Sequence, residues 1–374
     1  MMMDKESLKF LEELCNSLGP AGFERAATLI VKNYVQKWSD SVYSDRMGSL
    51  VFEKKGTSDS PTILLPGHVD EIGFMITALN DKGYLNFCQL GGWFDQTLLG
   101  QRIIVMSKKG NLKGVIAVKP PHLMDEEERK KVVTKDKMFI DIGCSNKDEA
   151  EEMGVRVGDA VVPDSTFSLV KKRSFKDGKF VGNRTLAFGK GFDDRLGAYI
   201  AAQAVRTLTE KKIEHPNRVV GAATVQEEVG LRGARTVANL VKPDVAIVLD
   251  VDIAGDVPGI EPQDAPAKMG DGVGITAYDA SMIPNQALKE LTIEVCEKQR
   301  IPYQLTHVLK GGTDAGVIHI GNVGCPSIVL GPATRHIHSH VAIADLADVD
   351  NCVKLVVELI KVLDKEKVES LVSI

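Results

Sequence analysis

The spacing of apolar positions divides the chain into three stretches. Leu8, Leu11 and Leu14 recur at helical spacing among charged residues, and residues 1–40 read as mostly helical. Thr62-Ile63-Leu64-Leu65, closed by Pro66-Gly67, predicts a short core strand. From about residue 73 the pattern changes to brief β-like runs between glycines and polar turns: YLNF, RIIVM, GVIAV, MFIDIG and DAVVP. Only the charged patch Asp125 to Lys131 interrupts them, as a solvated helix or loop. Beyond residue 180, helix and strand signals alternate. RLGAYIAAQAVRTL predicts a helix of small and apolar residues, and VVGAATV, VAIVLDV and SIVLG predict buried strands. Helical patterns near 285–299 and 346–363 accompany them. The alternation predicts an α/β fold with helices on both faces of a largely buried sheet. Residues 1–72 and 180–374 then form one discontinuous unit, and 73–179 a β-rich insertion.

Composition narrows the function classes. The net charge of -5 over 374 residues supplies no basic stripe for nucleic acid. No run of about 18 apolar residues occurs, so no membrane span is expected. The N-terminal segment is charged almost from its start and reads as an amphipathic helix rather than a signal peptide. Six scattered cysteines without a CxxC pair read as reduced thiols of a cytoplasmic protein.

The candidate chemistry follows the apolar strands. Ile63-Leu64-Leu65 leads to His68 and Asp70, and the run Val219 to Val225 leads to Glu227 and Glu228. Val245 to Leu249 leads to Asp250, and Ser327 to Leu330 leads to Arg335, His336, His338 and His340. Ligands of open α/β sheets bind at the carboxyl ends of the strands, so these side chains are expected on one rim. Asp193-Asp194 follows the glycine-rich turn Phe188 to Phe192 and opens a helix, where an Asp can cap and still face the rim. Each residue alone has a plainer reading as a cap, a loop carboxylate or a hydrogen-bonded histidine. Together, histidines and carboxylates without neighbouring Lys or Arg call for a cation, and mixed N and O donors suit zinc, cobalt or manganese. His68 and Asp70 share a face of an extended segment, so Asp70 can accept the second imidazole N–H. Glu227 and Glu228 are neighbours and face opposite ways if extended. One can bind a cation while the other moves a proton.

These residues lie in GHVDEIG, MFIDIG, FDDRLG, QEEVGLRGA, LDVDIAGDVPG, GGTDA and RHIHS, and in that order the chain resembles the tetrahedral metallo-aminopeptidases. This co-catalytic family includes glutamyl, leucyl, lysyl and deblocking aminopeptidases, and some members carry an endoglucanase label. The resemblance implies two divalent metal ions per subunit, zinc or cobalt. One would be held by His68, Asp193 and Asp250, the other by Asp193, Glu228 and His338. It implies Glu227 as general base acting on a water between the metals, Asp70 as the acid orienting His68, and Thr313 and Asp314 near the substrate. It further implies a three-layer α/β/α catalytic domain with an inserted, β-barrel-like dimerisation domain. Dimers of the family build tetrahedral dodecamers whose inward-facing sites take peptides with a free N-terminus. Two positions depart from the family pattern: His336 stands in place of Tyr, and Ala342 in place of Glu. Two other readings remain. A glycosidase would use Glu227 with another carboxylate but leave the histidines without a role, and a metal-binding assembly protein would lack catalysis.

Overall fold

Four parallel-paired strands lie side by side in the order Arg218–Thr224, Thr62–His68, Val245–Leu249 and Ser327–Arg335. They form the centre of a mixed twelve-stranded sheet in the computed structural model, which describes residues 3–176 and 178–372. Successive side chains of these strands enter different cores, as a strand's two-residue period requires. Ile63, Leu65, Val219, Val245, Ile247, Ile328 and Leu330 pack with residues of helices Lys5–Asn16, Arg25–Val35, Phe192–Glu210 and Leu346–Val362. Leu64, Val220, Ala246, Val248 and Val329 pack on the other face with residues of helices Arg232–Val241 and Ala315–Ile318. Burial on both faces explains why these strands read as unbroken apolar runs. The result is the expected three-layer α/β/α arrangement.

The insertion closes into a barrel in the order Gly73–Leu79, Leu85–Leu90, Phe139–Asp141, Gly110–Ala117, Arg102–Ser107 and Ala160–Pro163. Phe74, Ile76, Leu85, Ile103, Val105, Ile116, Ile140 and Val161 fill its separate core. Closure leaves the ring without a free strand edge. The charged patch contains a short helix, Glu126–Lys130, whose entry is a capping box formed by Asp125 and Glu128. The β-rich pattern continued to residue 179, but the barrel's last strand ends at Pro163. Ser168–Lys176 instead pairs with Lys179–Gly189, and this hairpin extends the large sheet beside Ala342–Asp345. A two-residue period reports a strand but not the sheet it joins.

Two features lock the rim in place. A Cβ on Gly67 would collide with the backbone of Gly197 and Ala198, so only glycine there lets helix Phe192–Glu210 seat against strand Thr62–His68. Behind the rim, Glu71 accepts from Lys190 Nζ at 2.6 and 2.8 Å and from Arg195 at 3.2 Å. Burial brings the Lys190 ammonium down to about 8 against the pull of Glu71. The fully buried Arg195 also donates to the carbonyls of Leu14, Cys15, Ser17 and Val69. It thereby ties the N-terminal helix and the end of the first central strand to the helix that carries it. Removing one member of a buried ion cluster leaves charge uncompensated. Glu71→Ala is therefore expected to destabilise the fold by about 3–5 kcal/mol, measured as a shift of the urea-unfolding curve. An unchanged curve would mean that Lys190 and Arg195 are satisfied without Glu71.

Candidate functional site

Because the four central strands run parallel, the residues that follow them meet at one rim. His68 ends its strand, Asp250 follows Leu249, Glu227 and Glu228 come just after Thr224, and His338 comes just after Arg335. Asp193 lies between the two histidines. Its Oδ1 is 3.2 Å from His68 Nε2 and its Oδ2 is 3.2 Å from His338 Nε2. Glu228 Oε1 lies 3.5 Å from His338 Nε2, and Glu227 Oε2 lies 3.8 Å from His68 Nε2. Two groups could each hold a cation: His68, Asp193 and Asp250, and Asp193, Glu228 and His338, with ligand atoms in each group within 4.8 Å of one another.

Local structure assigns different work to neighbouring acids. Asp193 and Asp194 interrupt the helical conformation at the start of Phe192–Glu210. Asp194 is the cap: its Oδ1 accepts from Gly197 N–H at 3.0 Å and its Oδ2 from His68 N–H at 3.1 Å. Asp193 is left to face the rim. Asp70 acts differently from the expectation. His68 Nδ1 lies 3.1 Å from the Asp70 backbone carbonyl and 3.5 Å from its carboxylate. The carboxylate instead accepts from the N–H groups of Glu227 and Glu228 at 3.0 and 3.1 Å. These two glutamates are not extended. Gln226 has φ 57°, and the Glu227 carbonyl accepts from Gly230 and Leu231, closing a turn. The turn, and not strand alternation, points the two carboxylates at different histidines. His338 Nδ1 lies 2.8 Å from the Gly92 carbonyl. With each Nδ1 beside a carbonyl, both histidines turn Nε2 toward the cluster, where loss of its proton would free a lone pair for a cation.

The charge is poorly compensated. Burial pushes Glu227 and Asp250 well above the ordinary carboxylate range, and burial followed by the charge of Asp193 takes Glu228 up to about 8. Asp193 alone is held low: burial opposes its charge, but the two imidazoles outweigh it. The same pairing raises His338 to about 10 against its own burial. Lys190 and Arg195 are close by in sequence but already engaged by Glu71. Glu228 Oε1 is buried without a hydrogen-bond partner. An excess of buried carboxylate, an orphaned carboxylate oxygen and two imidazoles facing them fit divalent cations with mixed N and O ligands.

A cavity of about 490 Å³ opens over this cluster, and Thr313 lines it, its hydroxyl donating to Asp279 at 3.1 Å. Asp314 is buried behind the wall, where one oxygen accepts from the Thr224 hydroxyl and the other has no partner. His336 is exposed, and the buried Ala342 lines a small hollow behind Glu228 and His338. Asp252 lies outside both candidate groups. Several supporting residues escaped the sequence reading. They are Glu71 with Lys190 and Arg195, Asp279, Lys310 on the cavity wall, and Glu24, which accepts from Gln226 N–H at 3.1 Å. Gly91-Gly92 is a visible doublet, but nothing in the sequence connects it to His338.

Solved structures and sequence relatives show what the chain as a whole is similar to. The chain is similar to the TET aminopeptidase of a marine-sediment Thaumarchaeota archaeon, with 51% identity and a TM-score of 0.92 over 98% of this chain and 99% of that one. The TET1 peptidase of Pyrococcus horikoshii, which can assemble into a tetrahedron or a large octahedral shell, is 31% identical. Its TM-score is 0.81 over 96% of this chain and 100% of that one. The lysyl aminopeptidase of Pyrococcus furiosus is 32% identical over 366 residues, 96% of this chain and 97% of that one. The model of the M42 glutamyl aminopeptidase family matches residues 48–355. The chain therefore belongs to the M42 glutamyl aminopeptidase family and is an enzyme that hydrolyses peptides from their N-terminus.

Proposed function

We propose that each subunit holds two divalent cations, zinc or cobalt, one on His68, Asp193 and Asp250 and one on Asp193, Glu228 and His338. The observation that carries this reading is the position of Asp193, whose two oxygens each lie 3.2 Å from a different histidine. When bound, the cations neutralise the buried carboxylates, polarise the scissile carbonyl and lower the pKa of the attacking water.

The residues around them do the rest. Glu227 is the general base. It stands on the cavity wall beside the cluster, takes a proton from the attacking water at Oε2 and returns it to the leaving amine. Asp70 holds the backbone of Glu227 and Glu228, so both carboxylates keep their aim. Asp194 fixes the turn that presents Asp193. Thr313, placed by Asp279, contacts the substrate, and Asp314 supports the wall from behind. A glycosidase reading leaves both rim histidines idle. The barrel is the proposed dimerisation element, as the family resemblance implies. Dimers then form a tetrahedral dodecamer, as the P. horikoshii relative can form a tetrahedron. Six free cysteines support a reducing cytoplasmic setting. No helix among the described residues is long and apolar enough to cross a membrane.

Three experiments test the reading. Activity on a panel of aminoacyl reporters is expected to vanish on chelation and to return with zinc or cobalt. Glu227→Gln is expected to keep both metals and lose about 10²–10⁴-fold in kcat. Near-wild-type turnover of that variant would remove Glu227 from the mechanism. The shared ligand is tested by metal content: Asp193→Ala is expected to lose both metals, and Asp250→Ala one. Equal metal content in these two variants, measured by elemental analysis, would contradict the shared position of Asp193.

A further inference from the structure

The barrel reaches the site at its turn after strand Leu85–Leu90. There Gly91 and Gly92 lie against Glu228 and His338. The Gly92 carbonyl accepts from His338 Nδ1–H at 2.8 Å. A Cβ on Gly92 would stand 2.9 Å from that nitrogen, and a Cβ on Gly91 would stand 2.9 Å from Glu228 Oε2. Trp93 pins the turn to the barrel. Its indole stacks on Phe74 with ring centroids 4.9 Å apart, and its Nε1–H donates to the Gly73 carbonyl at 3.1 Å.

His338 needs such support. Its backbone has φ 53° and its side chain is 39% exposed. His68, by contrast, is buried and finds its carbonyl partner two residues along its own segment, at Asp70. The hydrogen bonds of His68 and Asp250 stay within the large-sheet unit, whereas that of His338 Nδ1 crosses to the barrel.

We propose that the Gly91–Gly92 turn of the inserted barrel is a positioning element for the Asp193, Glu228 and His338 set alone. The Gly92 carbonyl keeps the His338 proton on Nδ1 and so leaves the Nε2 lone pair for a cation. The absence of side chains at Gly91 and Gly92 leaves room for the Glu228 carboxylate and the imidazole. The barrel thereby completes one of the two cation sites. This rests on the two-cation reading above.

Gly92→Ala tests it cleanly, because Gly92 is not in the left-handed region and the added methyl meets only the His338 ring. Metal-free protein is titrated with zinc by equilibrium dialysis. Wild type is expected to bind two zinc ions per subunit. In Gly92→Ala one site is expected to keep its affinity while the other weakens about 10–100-fold, the usual effect of losing an outer hydrogen-bond partner. His338→Ala should weaken the same site, and adding Gly92→Ala to it should weaken that site no further. Gly100→Ala is the control: φ is 76° there and nothing lies within 4 Å of the added methyl, so it strains the same barrel without touching the site. Two unchanged sites in Gly92→Ala, equal weakening of both sites, or the same loss in Gly100→Ala would each overturn the inference. Fewer than two zinc ions in wild type would overturn the two-cation reading and this inference with it.

Discussion

Buried negative charge is the constraint around which the rim is built. Asp193, Glu227, Glu228 and Asp250 converge where water is largely excluded, and burial pushes the last three well above the usual carboxylate range. Carboxylates gathered in this way are costly unless they are protonated, hydrogen-bonded or matched by cations. The two basic side chains that lie just beyond Asp193 in sequence do not supply the match. Lys190 and Arg195 are spent on Glu71, one layer further in. What the rim presents is two imidazoles and an excess of carboxylate, a donor set that suits divalent ions.

The acids of the region fall into two layers with different physics. Asp70 and Asp194 are saturated by backbone N–H groups and serve as struts. Glu71 is saturated by two buried cations and serves as an anchor for the N-terminal helix. The outer acids are less fully engaged: Asp250 accepts from the Val251 N–H, Asp193 meets the two histidines, and one oxygen of Glu228 has no hydrogen-bond partner. Strut and candidate ligand can be adjacent residues, as in Asp194 and Asp193, because a single irregular turn directs one carboxylate to the Gly197 and His68 N–H groups and the other to the histidines.

The inserted barrel has a hydrophobic core of its own, yet its Gly91–Gly92 turn closes against Glu228 and His338. A unit that could be viewed as an appendage for association is therefore also part of the wall of the site. Its distance from the large sheet is set by the Trp93 anchor on one side and by the lack of side chains on the other.

Much of this was legible in the chain itself. Apolar runs named the central strands because both faces of a parallel sheet are buried, and the first polar residues after each run named the rim because parallel strands end on the same side. His68, Glu227, Glu228, Asp250 and His338 follow from that rule, the glycine-rich turn that opens a helix brought in Asp193-Asp194, and the family motifs chose Asp193 of that pair. The partners of Asp70, Lys190, Arg195 and Gly92 were not legible. Each acts through a contact between segments far apart in sequence, and often through a backbone amide or carbonyl that every residue carries. Nor could a two-residue period say that Ser168–Lys176 leaves the barrel for the large sheet. Sequence determines which side chains are available and on which side of the sheet they emerge. Only the packing of distant segments decides which of them touch, because backbone hydrogen bonds and close approaches have no residue-type signature.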